Sequence, residues 1–271
     1  MKDKGKDKVR VALLQTALGD APKGERLARV VQLLGSLRDR EMDLILLPEL
    51  WNVGYFAFND YKKGAEPLDG PTLTELASQA KELKSYILAG SILERSGGRF
   101  FNTSVLLDRE GRQVAVYRKI HLFSYRSRER EILTPGEEPV VAKTELGRLG
   151  LSICYDLRFP ELYRWEVDRG AQVFLVPAAW PAARIAHWEL LARARALENQ
   201  CFLLGCNAAG VEHGVRLGGH SLVVDPQGEV LARAGEAEEV LLAELDLAQV
   251  ERTRTEFPVL ADRSESLRCP G

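Results

Sequence analysis

The sequence predicts an α/β protein in which two mixed sheets pack back to back between outer helices, a four-layer α-β-β-α sandwich. Short apolar runs alternate with longer segments whose apolar residues recur at helical spacing. The apolar runs are typical of strands buried on both faces. The second half also repeats the plan of the first, since "LILLPELW" (44–51) and "VFLVPAAW" (173–180) share an apolar run, a proline and a tryptophan. We therefore predict an internal pseudo-repeat within one domain.

The first half of the chain contains the predicted strands 9–18, 43–51 and 86–92, the helices 24–40 and 71–85, and a hairpin over 102–119. The second helix begins with Pro71, and Thr72 or Thr74 is placed to cap it. The hairpin turns at "DREG" (108–111), where polar residues precede a glycine.

The second half follows with elements of the same kind in the same order. Strands are predicted at 149–154, 173–180 and 202–208, helices at 159–170 and 187–200, and a hairpin over 218–235 that turns at "DPQG" (225–228). A polar helix and an extended tail end the chain. We predict a flexible N-terminal tail over 1–8, a single domain over 9–260 and a C-terminal tail over 261–271.

Charge excludes two classes of partner, and the cysteines favour a reducing, cytoplasmic setting. The 271 residues include 37 basic and 39 acidic side chains, a net charge of −2, so neither a nucleic-acid partner nor a membrane partner is expected. No apolar run approaches the roughly 18 residues of a membrane helix, and the N-terminus lacks the apolar stretch of a secretory signal. The cysteines are too few and too scattered for a disulfide framework or a zinc site: Cys154, Cys201, Cys206 and Cys269.

One strand end carries a carboxylate that its counterpart in the other half lacks. Pro48 and Glu49 stand where the second half has Pro177 and Ala178. Loss of hydration at a buried strand end raises the pKa of a carboxyl group and suits it to proton transfer. A helix-capping or salt-bridged glutamate explains the pattern equally well.

A cysteine also stands at a strand end. Cys154 follows an apolar strand and precedes a predicted helix, where a helix N-terminus or a lysine would favour the reactive thiolate. A buried cysteine that acts as a small hydrophobic residue is the alternative, and it suits Cys201 and Cys206 better because both lie in or beside the apolar "FLLG" run. Lys119, which follows alternating apolar residues of the first hairpin, is a weaker candidate for a partly buried cation.

No histidine stands out as the base for this cysteine. The four histidines are scattered and lack an evident orienting partner in the sequence: His121, His187, His213 and His220. A cysteine–histidine protease is therefore unsupported, and a glutamate is the natural substitute as base.

Three segments together resemble the nitrilase, or carbon–nitrogen hydrolase, superfamily. They are "LLPELW" around Glu49, "YRKIHLF" around Lys119 and "GLSICYDLRFPEL" around Cys154, in the family's order, and the resemblance spans about 9–259. It implies the α-β-β-α sandwich. It also implies that Glu49 is the general base, that Cys154 forms a thioester, and that Lys119 and the backbone N–H of Tyr155 stabilise the oxyanion.

The resemblance further implies a second glutamate, which holds Lys119 and positions the substrate. "EREILTPG" (129–136) offers Glu129 for this role, with Glu131 as the alternative. No metal or organic cofactor is implied, because the three catalytic groups supply the nucleophile, the base and an oxyanion donor. Members of the family commonly form homodimers or larger homo-oligomers, and we expect the same here.

Within the superfamily the chain looks most like the ω-amidases, which hydrolyse 2-oxoglutaramate to 2-oxoglutarate and ammonia. "CYDLRFPEL", "PAAWPAARIAHWELLARARALENQ", "GCNAAG" and "GHSLVVDPQGEVLARAG" carry this likeness. Such a substrate needs a cation for its carboxylate, for which Arg158 and Arg184 are candidates, with Trp180 as a pocket wall. Alternatively, Arg158 pairs with Asp156 and Trp180 belongs to the core. An amidase for deaminated glutathione, a nitrilase and a catalytically silent binding or scaffold protein are the competing functions.

Overall fold

The computed structural model describes residues 8–264. Its strands are β1 Lys8–Gln15, β2 Leu44–Leu46, β3 Tyr86–Leu88, β4 Ile92–Ser96, β5 Arg99–Leu107, β6 Gln113–Arg118, β7 Val140–Thr144, β8 Gly147–Leu151, β9 Val173–Ala178, β10 Phe202–Asn207, β11 Ala209–Glu212, β12 Val215–Gly218, β13 Leu222–Val224, β14 Val230–Arg233 and β15 Glu239–Asp246. Its α-helices are α1 Lys23–Gly35, α2 Tyr61–Gly64, α3 Pro71–Leu83, α4 Glu129–Ile132, α5 Pro160–Asp168, α6 Ile185–Asn199 and α7 Ala248–Glu256. Two short 3₁₀ helices cover Cys154–Arg158 and Ala182–Arg184.

The strands form two large mixed sheets and one small ribbon. The first sheet has the order β15-β1-β2-β3-β5-β4, with β6 also paired to β5, and the second has the order β14-β13-β10-β9-β8-β7. The ribbon is the antiparallel pair β11 and β12. Both large sheets mix parallel pairs in the centre with antiparallel pairs toward the edges.

Alternation along the strands separates a central core from an outer one. Val11 and Leu13 of β1 pack in the core between the two sheets, whereas Ala12 and Leu14 point to the other face. That outer face is covered by apolar residues of α1, of the turn that follows it and of α3, namely Val30, Leu34, Leu37, Leu73, Leu76 and Ala80. Helices α5 and α6 cover the second sheet through Leu162, Tyr163, Val167, Trp188, Ala192 and Ala196. The predicted α-β-β-α sandwich is therefore confirmed.

The two sheets share one order of pairing, which agrees with the pseudo-repeat expected from the sequence. In the first sheet β1, β2 and β3 pair in parallel and β3 then pairs antiparallel with β5, which forms a hairpin with β6. In the second sheet β8, β9 and β10 pair in parallel, β10 pairs antiparallel with β13, and β13 forms a hairpin with β14. Both hairpins turn where the sequence predicted, at 108–111 and 225–228.

Several predicted elements are shorter than expected. The strand predicted over 43–51 is confined to β2, because Pro48 has no backbone N–H with which to continue the pairing. The strand predicted over 86–92 is interrupted by Gly90, which has a φ of +65° and whose added Cβ would lie 1.9 Å from the Pro48 carbonyl oxygen. The threonine cap predicted for α3 is wrong: Gly70 is the N-cap, and Thr72 instead donates its hydroxyl to Glu66.

The domain limits predicted from the sequence remain a prediction. Strand β1 begins at Lys8, whereas residues 1–7 and 265–271, with Cys269, lie outside the described residues. Within 8–264, no helix combines the length and apolarity needed to cross a membrane.

Candidate active site

The two halves meet where their equivalent strands end. Glu49, just beyond β2, donates its backbone N–H to the carbonyl oxygen of Ala178 at 3.3 Å. The backbone N–H of Ala179, just beyond β9, donates to Glu49 Oε2 at 3.1 Å. The carboxylate that distinguishes the first half thus lies against the corresponding strand end of the second half.

A buried lysine lies between two carboxylates at this junction. Lys119 Nζ donates to Glu49 Oε1 at 2.6 Å and to the two oxygens of Glu129 at 3.0 and 3.1 Å. All three side chains are 0% exposed. Glu131, the alternative to Glu129 in the sequence, is 70% exposed and pairs with Arg128 instead. The structure therefore brings Glu129, and not Glu131, to Lys119.

Further donors, which the sequence did not predict, fix the two carboxylates. Asn102 Nδ2 donates to Glu49 Oε1 and to Glu129 Oε1, both at 2.9 Å. Tyr55 donates its hydroxyl to Glu129 Oε2 at 3.1 Å, and the Phe123 backbone N–H donates to the same oxygen at 2.8 Å. The available sequence signal was weak: one amide side chain in the apolar strand "RFFNTSVLL".

The cysteine lies beside this cluster on a strained turn. Cys154 follows Ile153 and begins a 3₁₀ helix with a φ of +47°, a conformation that costs a residue with a side chain of the order of 1 kcal/mol or more. The Glu49 carboxylate and the Ala179 backbone N–H lie close enough to its thiol to shift the pKa of that thiol in opposite directions. The turn therefore places the thiol next to Glu49, at the margin of the central core to which both Ile153 and Cys154 belong.

Burial and charge set the protonation of the three central groups. Burial raises the pKa of the Cys154 thiol well above its ordinary value, and the Glu49 charge adds to this effect while Lys119 opposes it. Burial also raises the pKa of Glu49, against the lowering by Lys119. For Lys119, burial lowers the pKa, but the charges of Glu129 and Glu49 outweigh it and the net pKa is raised. The resting site accordingly holds a neutral thiol, a charged lysine and a carboxyl group suited to accept a proton.

A cleft opens over the thiol. Its walls hold two arginines that lie on aromatic rings: Arg158 is 4.7 Å from the centre of the Trp180 ring, and Arg184 is 5.0 Å from that of Tyr125. The residues lining the cleft are Tyr55, Phe56, Phe123, Cys154, Tyr155, Arg158, Ala179, Trp180, Pro181 and Arg184. The cleft thus contains all three side chains that the sequence suggested for substrate binding.

The alternative pairing of Arg158 with Asp156 is wrong. The Asp156 carboxylate is buried and accepts hydrogen bonds from Ile153, Tyr117 and His121, whereas the Arg158 guanidinium contacts His187 Nδ1 at 3.4 Å.

Trp180 is both a wall of the cleft and part of the core. It lines the cleft, yet it is only 3% exposed and packs on Trp188 with ring centres 5.5 Å apart. Its indole N–H donates to the Arg184 carbonyl oxygen at 2.9 Å, which ties the ring to the segment that carries this arginine.

The other described cysteines lie outside the site. Cys201 and Cys206 are 0% exposed, and burial raises the pKa of both thiols, that of Cys201 to about 12. Over residues 8–264, no three His, Cys, Asp or Glu side chains are grouped as a metal site requires.

Comparison with known proteins identifies the family. The family model described as carbon–nitrogen hydrolase matches residues 10–255. The chain belongs to the carbon–nitrogen hydrolase family. This hydrolase is 41% identical over 247 residues to the 2-oxoglutaramate amidase of Paenarthrobacter nicotinovorans, covering 88% of this chain and 83% of that protein. It is thus an enzyme that acts on amide C–N bonds, as predicted.

Solved structures agree with this assignment. Nit3 of Saccharomyces cerevisiae, a member of branch 10 of the nitrilase superfamily, superposes with a TM-score of 0.88 at 32% identity and covers 98% of this chain and 99% of its own. An amidase from Nesterenkonia sp. AN1 superposes with a TM-score of 0.83 at 27% identity, covering 97% of this chain and 96% of its own. That structure, of a glutamate-to-glutamine variant, carries the acetamide moiety of fluoroacetamide covalently on the active-site cysteine.

Proposed function

We propose that this hydrolase is an ω-amidase that converts 2-oxoglutaramate to 2-oxoglutarate and ammonia through a thioester on Cys154. The observation that carries the proposal is the buried Glu49–Lys119 pair beside the Cys154 thiol, at a cleft whose wall holds two arginines. The identity of 41% to a protein named 2-oxoglutaramate amidase supports the choice of substrate.

In the acylation step Glu49 takes the thiol proton while Cys154 Sγ attacks the amide carbon. The Glu49 carboxylate lies close enough to the thiol to shift its pKa, so it is placed to accept this proton directly. Lys119 and the backbone N–H of Tyr155 stabilise the oxyanion that forms. When the C–N bond breaks, protonated Glu49 gives its proton to the departing nitrogen, so that ammonia leaves and the thioester remains.

In the deacylation step Glu49 acts as base a second time. It takes a proton from a water molecule whose oxygen attacks the thioester carbon, and the oxyanion again faces Lys119 and the Tyr155 N–H. Collapse of this intermediate breaks the C–S bond and releases the product as a carboxylic acid, which loses its remaining proton to solvent. The proton on Glu49 returns to the sulfur, which restores the resting site.

Glu129 acts on Lys119 in this proposal. The ammonium group between two carboxylates stays charged, and its hydrogen bonds to both oxygens of Glu129 hold it at one position. The Asn102 amide that bridges Glu49 and Glu129 fixes the distance between the carboxylates. The oxyanion donor is therefore in place before substrate binds.

The substrate carboxylate binds at the arginines of the cleft. Arg158 and Arg184 are held against Trp180 and Tyr125, so little side-chain freedom is lost when they bind an anion. An amide with a distal carboxylate therefore suits the cleft better than a neutral amide.

Ammonia release from a panel of substrates tests the proposal. The panel contains 2-oxoglutaramate, deaminated glutathione, glutamine and a simple nitrile, and kcat/KM is measured for each with the Cys154→Ala variant as blank. We expect 2-oxoglutaramate to exceed the simple nitrile, which has no carboxylate, by at least about tenfold, the factor that corresponds to one well-placed charged contact. It should also have a higher kcat/KM than deaminated glutathione and glutamine. A higher kcat/KM for deaminated glutathione or for the nitrile would assign the enzyme to that activity instead.

We further infer that the enzyme is cytoplasmic and forms a homodimer or a larger homo-oligomer. Two described cysteines outside the site, Cys201 and Cys206, are buried and unpaired, as expected of a protein from a reducing compartment. We also propose, as from the sequence, that residues 9–260 form a single domain. Light scattering after size exclusion tests the oligomer, since a monomeric mass at micromolar concentration would contradict it.

A further inference from the structure

One buried carboxylate near the site takes no part in the chemistry above. Asp156, 0% exposed, is the third residue of the 3₁₀ helix that begins at Cys154. Its Oδ2 accepts from the Ile153 backbone N–H at 2.9 Å and from the Tyr117 hydroxyl at 2.7 Å. Its Oδ1 accepts from the His121 backbone N–H at 3.0 Å and lies 2.7 Å from His121 Nδ1. Two oxygens therefore serve four donor positions.

These donors flank the two reacting groups. Ile153 immediately precedes Cys154, while Tyr117 and His121 stand two residues before and two residues after Lys119. The nucleophile follows β8 of the second sheet, and Lys119 follows β6 of the first. One carboxylate thus joins the end of a strand from each sheet, and it does so at the residues next to the nucleophile and around the oxyanion donor.

We propose that Asp156 is a positioning residue, which holds Cys154 and Lys119 at the separation that thioester formation needs. The proposal rests on the amidase chemistry inferred above, in which both groups contact the reacting carbonyl. Misplacement by about 1 Å costs an enzyme of the order of 10²-fold in rate. Because Cys154 has a positive φ, the turn needs outside contacts to keep its conformation.

A simple capping role would require fewer of these contacts. The bond from the Ile153 N–H is enough to cap the 3₁₀ helix, but the others come from a different sheet. Burial and the Asp156 charge raise the pKa of Tyr117, so its hydroxyl stays protonated and continues to donate. His121 stacks on Phe159 with ring centres 3.7 Å apart and planes at 7°, which holds its ring toward the carboxylate.

The chain offers a matched carboxylate with a purely local role. Asp108, 3% exposed, accepts from the backbone N–H groups of Glu110 and Arg112 and from the Arg112 side chain, all within its own hairpin turn. Replacement of Asp108 by Asn removes one acceptor from the turn between β5 and β6, at the opposite end of β6 from Lys119. It therefore reproduces the structural cost of the same change at Asp156 without touching the strand ends that carry the site.

The experiment compares Asp156→Asn with Asp108→Asn. The NH₂ group of the new asparagine cannot accept hydrogen bonds, so the donors that faced one of the two Asp156 oxygens lose their acceptor. We expect kcat on the amide substrate to fall of the order of 10²-fold for Asp156→Asn, with a smaller change in KM. Asp108→Asn keeps the wild-type kcat although its melting temperature falls. Restoring the charge through Asp156→Glu recovers part of kcat.

A second readout does not depend on the natural substrate. Iodoacetamide carries a small amide and alkylates a thiol, and Cys201 and Cys206 are fully buried, so the mass of the Cys154 peptide reports this site. We expect the alkylation of Cys154 to be slowed in Asp156→Asn but not in Asp108→Asn. This comparison keeps its meaning even when wild type proves inactive on 2-oxoglutaramate.

Two results would overturn the positioning role. The first is an Asp156→Asn variant that has a lower melting temperature than wild type but whose Cys154 is alkylated, and whose substrate is turned over, at the wild-type rates. If that variant does not fold, Tyr117→Phe decides, because it removes a single hydroxyl donor: alkylation slowed about tenfold supports the role, and the wild-type rate overturns it.

Discussion

Removal of the buried lysine provides the sharpest test of the electrostatics. In Lys119→Met, Glu49 and Glu129 lose the ammonium group that contacts both, and Asn102 remains as the shared donor. Removing one partner of a buried ion pair typically costs about 3–5 kcal/mol, since an uncompensated charge stays behind. Without the lysine, the Glu49 and Glu129 carboxylates, which share the Asn102 amide as donor, lie too close together for both to stay charged. One of the two therefore takes up a proton.

The activity of this variant falls for two separate reasons. Loss of one oxyanion donor costs about 10²–10³-fold in kcat. The Lys119 charge also lowers the pKa of Glu49, so its removal leaves more of Glu49 protonated and unable to act as base. We therefore expect kcat to fall by at least about 10³-fold. Lys143→Met, which removes an exposed lysine from β7, is the control and keeps the wild-type rate.

The loss of Lys119 should also change how the stability of the protein depends on pH, in a direction that can be stated in advance. The folded variant holds a carboxyl proton that the unfolded chain, with a glutamate pKa of about 4.3, releases. The folded state then binds more protons, so the free energy of unfolding falls as pH rises from about 4.5 through the raised pKa, by up to about 1.4 kcal/mol per pH unit per carboxyl group. Urea titrations of variant and wild type from pH 5 to 8 measure this slope. The reasoning would be refuted if the free energy of unfolding had the same pH dependence in the variant as in wild type and the variant also kept substantial turnover.

Three further predictions concern the glutamates and one arginine. Glu129→Gln should lower kcat by about 10²-fold or more, because it weakens the hold on the cation, whereas the exposed Glu131→Gln should leave kcat unchanged; equal losses would contradict the assignment. The acid limb of the kcat/KM profile should lie above the ordinary glutamate pKa of 4.5, because burial raises the pKa of Glu49; a limb at 4.5 or below would count against it as base. Arg158→Lys should raise KM about tenfold for carboxylate-bearing amides and leave KM for neutral amides unchanged; a similar rise for both would make this arginine structural.

The sequence pointed to the candidate site residues because they stand at the ends of recognisable strands. Apolar runs identified β2 and β8, and the residues that follow them, Glu49 and Cys154, were visible as departures from the apolar pattern. The repeated proline and tryptophan identified the two strand ends that meet, and Ala178 and Ala179 now face Glu49 there.

The contacts that make these residues a site could not be read in the same way. Asn102 is 53 positions from Glu49, and Lys119 is 70 positions from it, so their contacts depend on how the sheets pack. Local patterns also overestimated the strand at 43–51, because the approach of Gly90 to the Pro48 carbonyl is set by the neighbouring strand. Short-range periodicity therefore located the elements, and tertiary packing decided where they end.

Direct detection of the thioester tests the central claim. Wild-type enzyme is mixed with 2-oxoglutaramate, quenched in acid within the first turnover and digested, and the Cys154 peptide is weighed by mass spectrometry. The account predicts an acyl adduct on this peptide that appears with the first ammonia, decays as product forms and is absent from Cys154→Ala, which keeps the fold and releases no ammonia. Ammonia release by Cys154→Ala at the wild-type rate, or an adduct on another residue, would contradict it.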